Sequence, residues 1–161
     1  MKKIHNVVII SLLCFSMQAV SQADYSTGIG LRGGFPAGVT IKHFVNDQDA
    51  VEGILGMHYR GFVLTGLYER HINAFGEDRL NFYYGAGGHV GFWSYYKNHP
   101  VFNDSYSGTR TIIGVDGILG LEYSFEQVPF NLSVDWKPMF NLGPYSGFWA
   151  DSGALSIRYI W

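Results

Sequence analysis

The sequence predicts an all-β fold: an eight-stranded antiparallel transmembrane β-barrel of up-and-down topology, following a cleaved signal peptide. Three observations predict it. Of 161 residues, 47% are hydrophobic and 17% aromatic but only 15% are charged, against roughly 25% charged in an ordinary soluble domain. Apolar and polar residues alternate with period two through most of the chain after Asp24, as strands with two unlike faces require. Beyond the N-terminal segment no run of about 18 apolar residues appears, so a helical membrane span is not expected. The length suits one domain. The apolar content excludes disorder, and a net charge of −2 without a Lys/Arg cluster leaves no electrostatic footprint for nucleic acid.

The first element is an address. Lys2 and Lys3 form a short basic region, Val7 to Phe15 is an apolar core, and Ser21-Gln22-Ala23 places small residues before Asp24. This is the signal-peptide pattern, with a core too short to span a bilayer. The expected division is therefore 1–23 as signal peptide and 24–161 as barrel domain. The single cysteine, Cys14, lies in the apolar core, so the mature chain needs no disulfide. Without Lys2 and Lys3 it carries 9 basic against 13 acidic residues, or −4.

Eight strands are expected at about 25–33, 37–45, 50–59, 61–71, 80–93, 111–125, 130–138 and 152–161. Most are long enough for a tilted membrane strand of about 9–11 residues. Eight is the smallest usual number for a single-chain outer-membrane barrel. One face collects Ile29, Leu31, Ile41, Leu64, Val115, Leu132, Val134, Ile157 and their neighbours in phase. The other collects Arg32, Lys42, Glu52, Glu69, His89, Asp116, Glu122, Asp135, Lys137 and Arg158. Of the ten Asp, Glu, Lys and Arg residues within these strands, only Arg70 falls on the apolar face.

Size decides which face points inward. An eight-stranded barrel has an interior just wide enough for side chains to fill. The inward set would hold four bases (Arg32, Lys42, Lys137, Arg158) and five acids (Glu52, Glu69, Asp116, Glu122, Asp135), which nearly cancel. Paired, hydrogen-bonded charges can be kept in such a place, whereas isolated ones are expensive. Glu122 and Arg158 are expected to share one network. Inward Gly28, Gly30, Gly85, Gly87, Gly91, Gly114 and Gly120 are expected to make volume for the long side chains.

The connections set the orientation. The two longest, about 94–110 and 139–151, are both odd-numbered. Outer-membrane barrels have short periplasmic turns and long external loops, so periplasmic termini and external 94–110 and 139–151 are expected. The turns at Asn46–Asp49 and Glu126–Pro129 have turn-forming residues. Leu155, Ile157, Tyr159 and Trp161 alternate to an aromatic C-terminus. Tyr159 and Trp161 look like the terminal signal read by barrel-assembly machinery, an implication carried over from this class of protein.

Six stretches carry a resemblance: GIGLRGGFPAGVTIKHF (28–44), GLYERH (66–71), FYYGAGGHVGFW (82–93), GVDGILGLEYSF (114–125), PFNLSVDWKPMFNL (129–142) and GALSIRYIW (153–161). In these the chain resembles a family of small outer-membrane β-barrel proteins of Bacteroidota, and in architecture it is similar to OmpX and the OmpA transmembrane domain. The resemblance implies fold and compartment, with outer-membrane lipid as the surroundings. It implies no activity and no catalytic residues.

Other chemistry is weaker. His99, Asp104 and Ser105 in the fifth connection are the residue types of a PagP-like lipid-modifying enzyme, but a flexible loop guarantees no nucleophile–base geometry. His43, His58, His71, His89 and His99 lack zinc-ligand spacing. Gly85-Ala86-Gly87-Gly88 follows no strand-to-helix pattern and is no phosphate loop. Tyr95, Tyr96, Phe102, Tyr106, Tyr145, Phe148 and Trp149 are expected as an interfacial girdle and loop packing. The reading is a non-enzymatic structural or surface-interaction barrel, plugged by its charges, without cofactor or metal and with its external ligand undetermined. A small-solute pore and a lipid-modifying enzyme are the alternatives.

Overall fold

The computed structural model describes residues 23–58, 61–98, 105–143 and 146–161. The signal peptide expected at 1–23 falls almost wholly outside the described residues. The rest is all-β. In chain order the strands are β1 (Thr27–Gly34), β2 (Ala37–Phe44), β3 (Asp49–His58), β4 (Gly61–Asn73), β5 (Leu80–Asn98), β6 (Ser105–Ser124), β7 (Phe130–Trp136), β8 (Met139–Leu142), β9 (Gly147–Trp149) and β10 (Gly153–Ile160). Each pairs antiparallel with its neighbour, and β1 pairs with β10, so the sheet closes on itself. Closure removes the free edges of the ring, while β9 and the part of β5 beyond Trp93 pair on one side only.

These segments make eight barrel strands because the last four elements form two. β7 and β8 run in one register against β6: Trp136 faces Leu119 and Met139 faces Asp116, three residues on each side. The break at Lys137-Pro138 is where proline lacks an N–H, and Gly117 N still donates to Pro138 O at 2.9 Å. β9 and β10 differ. Trp149 faces Met139 and Gly153 faces Trp136, so four residues oppose three. The extra residue is a β-bulge, held by Lys137 N donating to Ser152 O at 2.8 Å and by Trp136 Nε1 donating to Ala150 O. It also inverts the side-chain phase between β9 and β10.

Two expected loops are corrected. Residues 94–98 and 105–110 belong to strands, and β5 and β6 stay paired as far as Asn98 and Ser105. Beyond Trp93, the partner of Gly61, β5 pairs with β6 alone. A two-stranded ribbon therefore rises from the barrel, leaving 99–104 as the connection. Likewise 139–151 contains β8 and β9, which leave only 143–146 between them. The opposite end carries both termini and three turns; there Asn46 Oδ1 accepts from the backbone N–H groups of Gln48 and Asp49 at 2.9 and 2.8 Å. Below, the two rims are the hairpin end and the terminus end.

The outer face is apolar. Leu31 is 64% exposed and Met57 66%, and Ile29, Ile41, Leu64, Ile113, Val115, Val134, Leu155 and Ile157 are exposed with them. Arg70 is the charged exception among the expected strand residues. It lies outward at the terminus end, donating to Gln48 Oε1 at 2.8 Å and standing 3.8 Å from Asp49.

Candidate functional site

The lumen is the candidate site, and it is built in layers because each inward residue recurs every second position. At the terminus end Tyr25, Phe44, Ala50 and Ile160 form a buried apolar stopper. Asp24 beside it lies outside the strands; burial pushes its carboxyl above the usual range, while Arg79 and Asn81 pull it back.

One step deeper is the first ion layer. Lys42 Nζ stands 2.7 Å from Glu69 Oε2, 3.1 Å from Glu122 Oε2 and 3.4 Å from Glu52 Oε2. Arg158 Nη2 donates to Glu52 Oε1 at 2.6 Å, and its Nη1 lies 3.5 Å from Glu122 Oε2 and donates to Ser133 Oγ at 2.8 Å. Thr40 donates to Glu52, and Tyr25 donates to Glu122 at 2.9 Å. His71 lies 3.9 Å from both Glu69 and Glu122. The side chains of all five fixed charges are 0% exposed. They come from β2, β3, β4, β6 and β10, so a single cluster ties together strands on opposite sides of the cylinder.

Above it Ile54, Leu67, Tyr83 and Ile118 make a buried apolar belt. Tyr83 links the layers on either side: Lys42 Nζ sits 4.1 Å from its ring centroid, a cation–π distance, and its hydroxyl donates to Asp135 at 3.3 Å. The second ion layer follows. Arg32 donates to both oxygens of Asp135 at 2.5 and 2.6 Å, the bidentate geometry that the guanidinium fork favours. Lys137 Nζ donates to Asp116 Oδ1 at 2.7 Å, and His89 Nδ1 lies 2.8 Å from Asp116 Oδ2.

All nine residues expected on the charged face thus lie inside, but in two clusters rather than one. Arg32, Asp116, Asp135 and Lys137 form the upper layer; Lys42, Glu52, Glu69, Glu122 and Arg158 form the lower. Tyr159 and Trp161 face outward at the terminus end. His99 and Asp104 lie outside the described residues, as do Phe102 and Tyr145, and Ser105 is described only as the first residue of β6. The inward apolar belt escaped sequence reasoning, although its signal was present. Ile54 lies two residues after Glu52, Leu67 two before Glu69 and Ile118 two after Asp116.

The inward glycines divide into two kinds. At Gly114 and Gly120 a Cβ would stand 2.4 Å from the His89 and Tyr83 rings, their register partners, so these glycines do make room for side chains. At Gly30, Gly85 and Gly87 a Cβ would meet the carbonyl oxygen of the adjacent strand, at 1.9, 2.3 and 1.9 Å. There the expectation is corrected. Backbones converge on the concave side of a tightly rolled sheet, and glycine permits the approach.

Geometry and chemistry define a class: a small closed barrel, greasy outside and ion-paired within. The sequence matches no established family profile and no curated protein. Among solved structures the chain is similar to the N-terminal β-barrel domain of Pseudomonas aeruginosa OprF, with a TM-score of 0.66 at 17% identity, covering 87% of this chain and 100% of that one.

Proposed function

We propose that the protein is an integral outer-membrane β-barrel, closed to solutes, with a non-enzymatic structural or cell-surface interaction role. The observation that carries this is the inversion of an ordinary globule: hydrocarbon side chains outside, buried ion pairs across the bore. An exposed apolar belt this continuous is stable only against lipid. A closed barrel satisfies its backbone hydrogen bonds within the sheet, as a bilayer demands, and the similarity in fold to the OprF barrel accords with it. Residues 1–23 serve as a cleaved signal peptide, and Tyr159 and Trp161 as the mark read during barrel assembly. The termini face the periplasm. The β5–β6 ribbon and the β8–β9 hairpin then stand outside the cell, where a partner can meet them.

The second layer argues against a small-solute pore. A solute passing down the axis would have to cross Arg32–Asp135, then Tyr83, then the Lys42 cluster, all buried. Purified protein in planar lipid bilayers tests this. Steady single-channel conductance from the native protein would establish the pore instead. No conductance is expected from the native protein, nor from a variant with Lys42 and Arg158 both replaced by alanine, because Arg32–Asp135, Tyr83 and the apolar stopper still fill the bore.

A further inference from the structure

At the hairpin end of the bore a cavity of about 190 Å3 opens above the second ion layer. Phe35, Pro36, Val63, Trp93, Ile112, Met139 and Trp149 give it apolar walls; His89 and Asn141 are its polar groups. The walls are placed by local structure. A Cβ on Gly91 would stand 2.1 Å from the Trp93 indole, and one on Gly56 would stand 2.6 Å from the Pro36 ring. Those glycines let both rings lie flat against the barrel wall. The bulge between β9 and β10 turns Trp149 toward the cavity beside Met139, where it stays 50% exposed at the rim; its neighbour Phe148 is 65% exposed.

We propose that this cavity binds a small uncharged aromatic molecule with one hydrogen-bonding group, of the size of a substituted phenol. The volume sets the size: an apolar protein cavity of about 150 Å3 accepts benzene. Two indoles supply faces and edges for a ring to pack against. The polar contact falls to Asn141. His89 Nε2 lies 3.0 Å from its side-chain oxygen, which leaves the other end of the amide for a guest. The charges beneath are already matched, Arg32 with Asp135 and Lys137 with Asp116. A charged guest would therefore be desolvated without gaining a counter-ion from the floor.

The test uses the purified protein in lipid nanodiscs, titrated with 4-bromophenol, whose bromine quenches tryptophan emission. Saturable quenching is expected. It should weaken at least tenfold in a variant filled by Val63→Phe with Ile112→Phe, and at least tenfold in Asn141→Leu, which leaves the cavity open. Retained barrel mobility on unheated gels shows that each variant is folded. Quenching that rises linearly and equally in all three proteins reports partition into lipid and overturns the site. Tighter saturation by 4-bromobenzoate or by 1-bromooctane overturns the ligand class, in favour of an anion or an acyl chain.

Discussion

The two ion layers of the lumen solve the same problem differently. In the lower layer Lys42 contacts three carboxylates, and two of those also contact Arg158, so no pair can be removed without stranding a third group. In the upper layer Arg32 and Asp135 form one bidentate pair that also accepts from the Tyr83 hydroxyl, while Lys137 and His89 share Asp116. The lower layer is a web across five strands. The upper one is a set of units, each satisfied between neighbours or near-neighbours in the closed ring. The difference teaches that buried charge in a narrow bore can act as a tie or as a tile. Only the tie makes the strands depend on one another.

That contrast is broken most directly by deletion. Lys42→Met leaves Glu52, Glu69 and Glu122 facing each other with only Arg158 as fixed cation, and should cost about 3–5 kcal/mol, the usual loss when a buried pair is split. Removing a whole upper unit, Arg32→Met and Asp135→Leu with Tyr83→Phe so that the hydroxyl on Asp135 goes with it, leaves no orphaned group and should change stability by no more than about 1 kcal/mol. No such clean deletion exists below, because any partner removed with Lys42 leaves two others behind. Urea unfolding of the folded barrel in liposomes, followed by tryptophan emission, measures both. Equal losses in the two variants would mean that the layers are the same kind of structure.

Much of this was legible in the sequence, for a physical reason. The apolar outer face excludes charge at almost every second strand residue, so one apolar phase fixes where Arg32, Lys42, Glu52 and Arg158 must point. What phase cannot give is height or partner. Asp135 and Asp116 were on the right face, yet nothing local shows that they pair with Arg32 and Lys137 rather than with Lys42. Trp149 was unreadable because one bulge residue inverts the phase between β9 and β10. The ribbon at 94–98 and 105–110 was unreadable because the apolar–polar alternation that marks the barrel strands is not kept there.

A smaller effect sharpens the distinction among glycines. Gly114→Ala would place a methyl group 2.4 Å from the His89 ring and 2.4 Å from the Phe140 carbonyl oxygen, against the floor of the upper layer. Overpacking of this kind costs about 1–3 kcal/mol. Gly66→Ala, on the outer face of β4, meets nothing within 4 Å and should stay within about 0.5 kcal/mol of the native protein. The same unfolding assay compares them. A Gly66→Ala loss as large as that of Gly114→Ala would show that strand glycines are needed for backbone freedom rather than for space.

The smallest expected effect probes the web from inside. The lower layer holds two fixed cations, Lys42 and Arg158, against three carboxyl groups. The three are not equivalent. Glu52 holds Arg158 at 2.6 Å and also accepts from Thr40. Glu122 lies 3.5 Å from Arg158 and accepts from Tyr25. Glu69 reaches Lys42 at 2.7 Å, stands 3.9 Å from His71 and abuts the Glu52 carboxyl. Glu69→Gln keeps the shape and leaves Arg158 untouched, so its cost should be below about 1 kcal/mol, that of one ordinary hydrogen bond. Glu52→Gln weakens a charged bond to Arg158 and should cost about 1.5–3 kcal/mol. If Glu69→Gln proved the worse of the two, Glu69 rather than Arg158 would be the hinge of the web, and the tie across the bore would run through Lys42 alone.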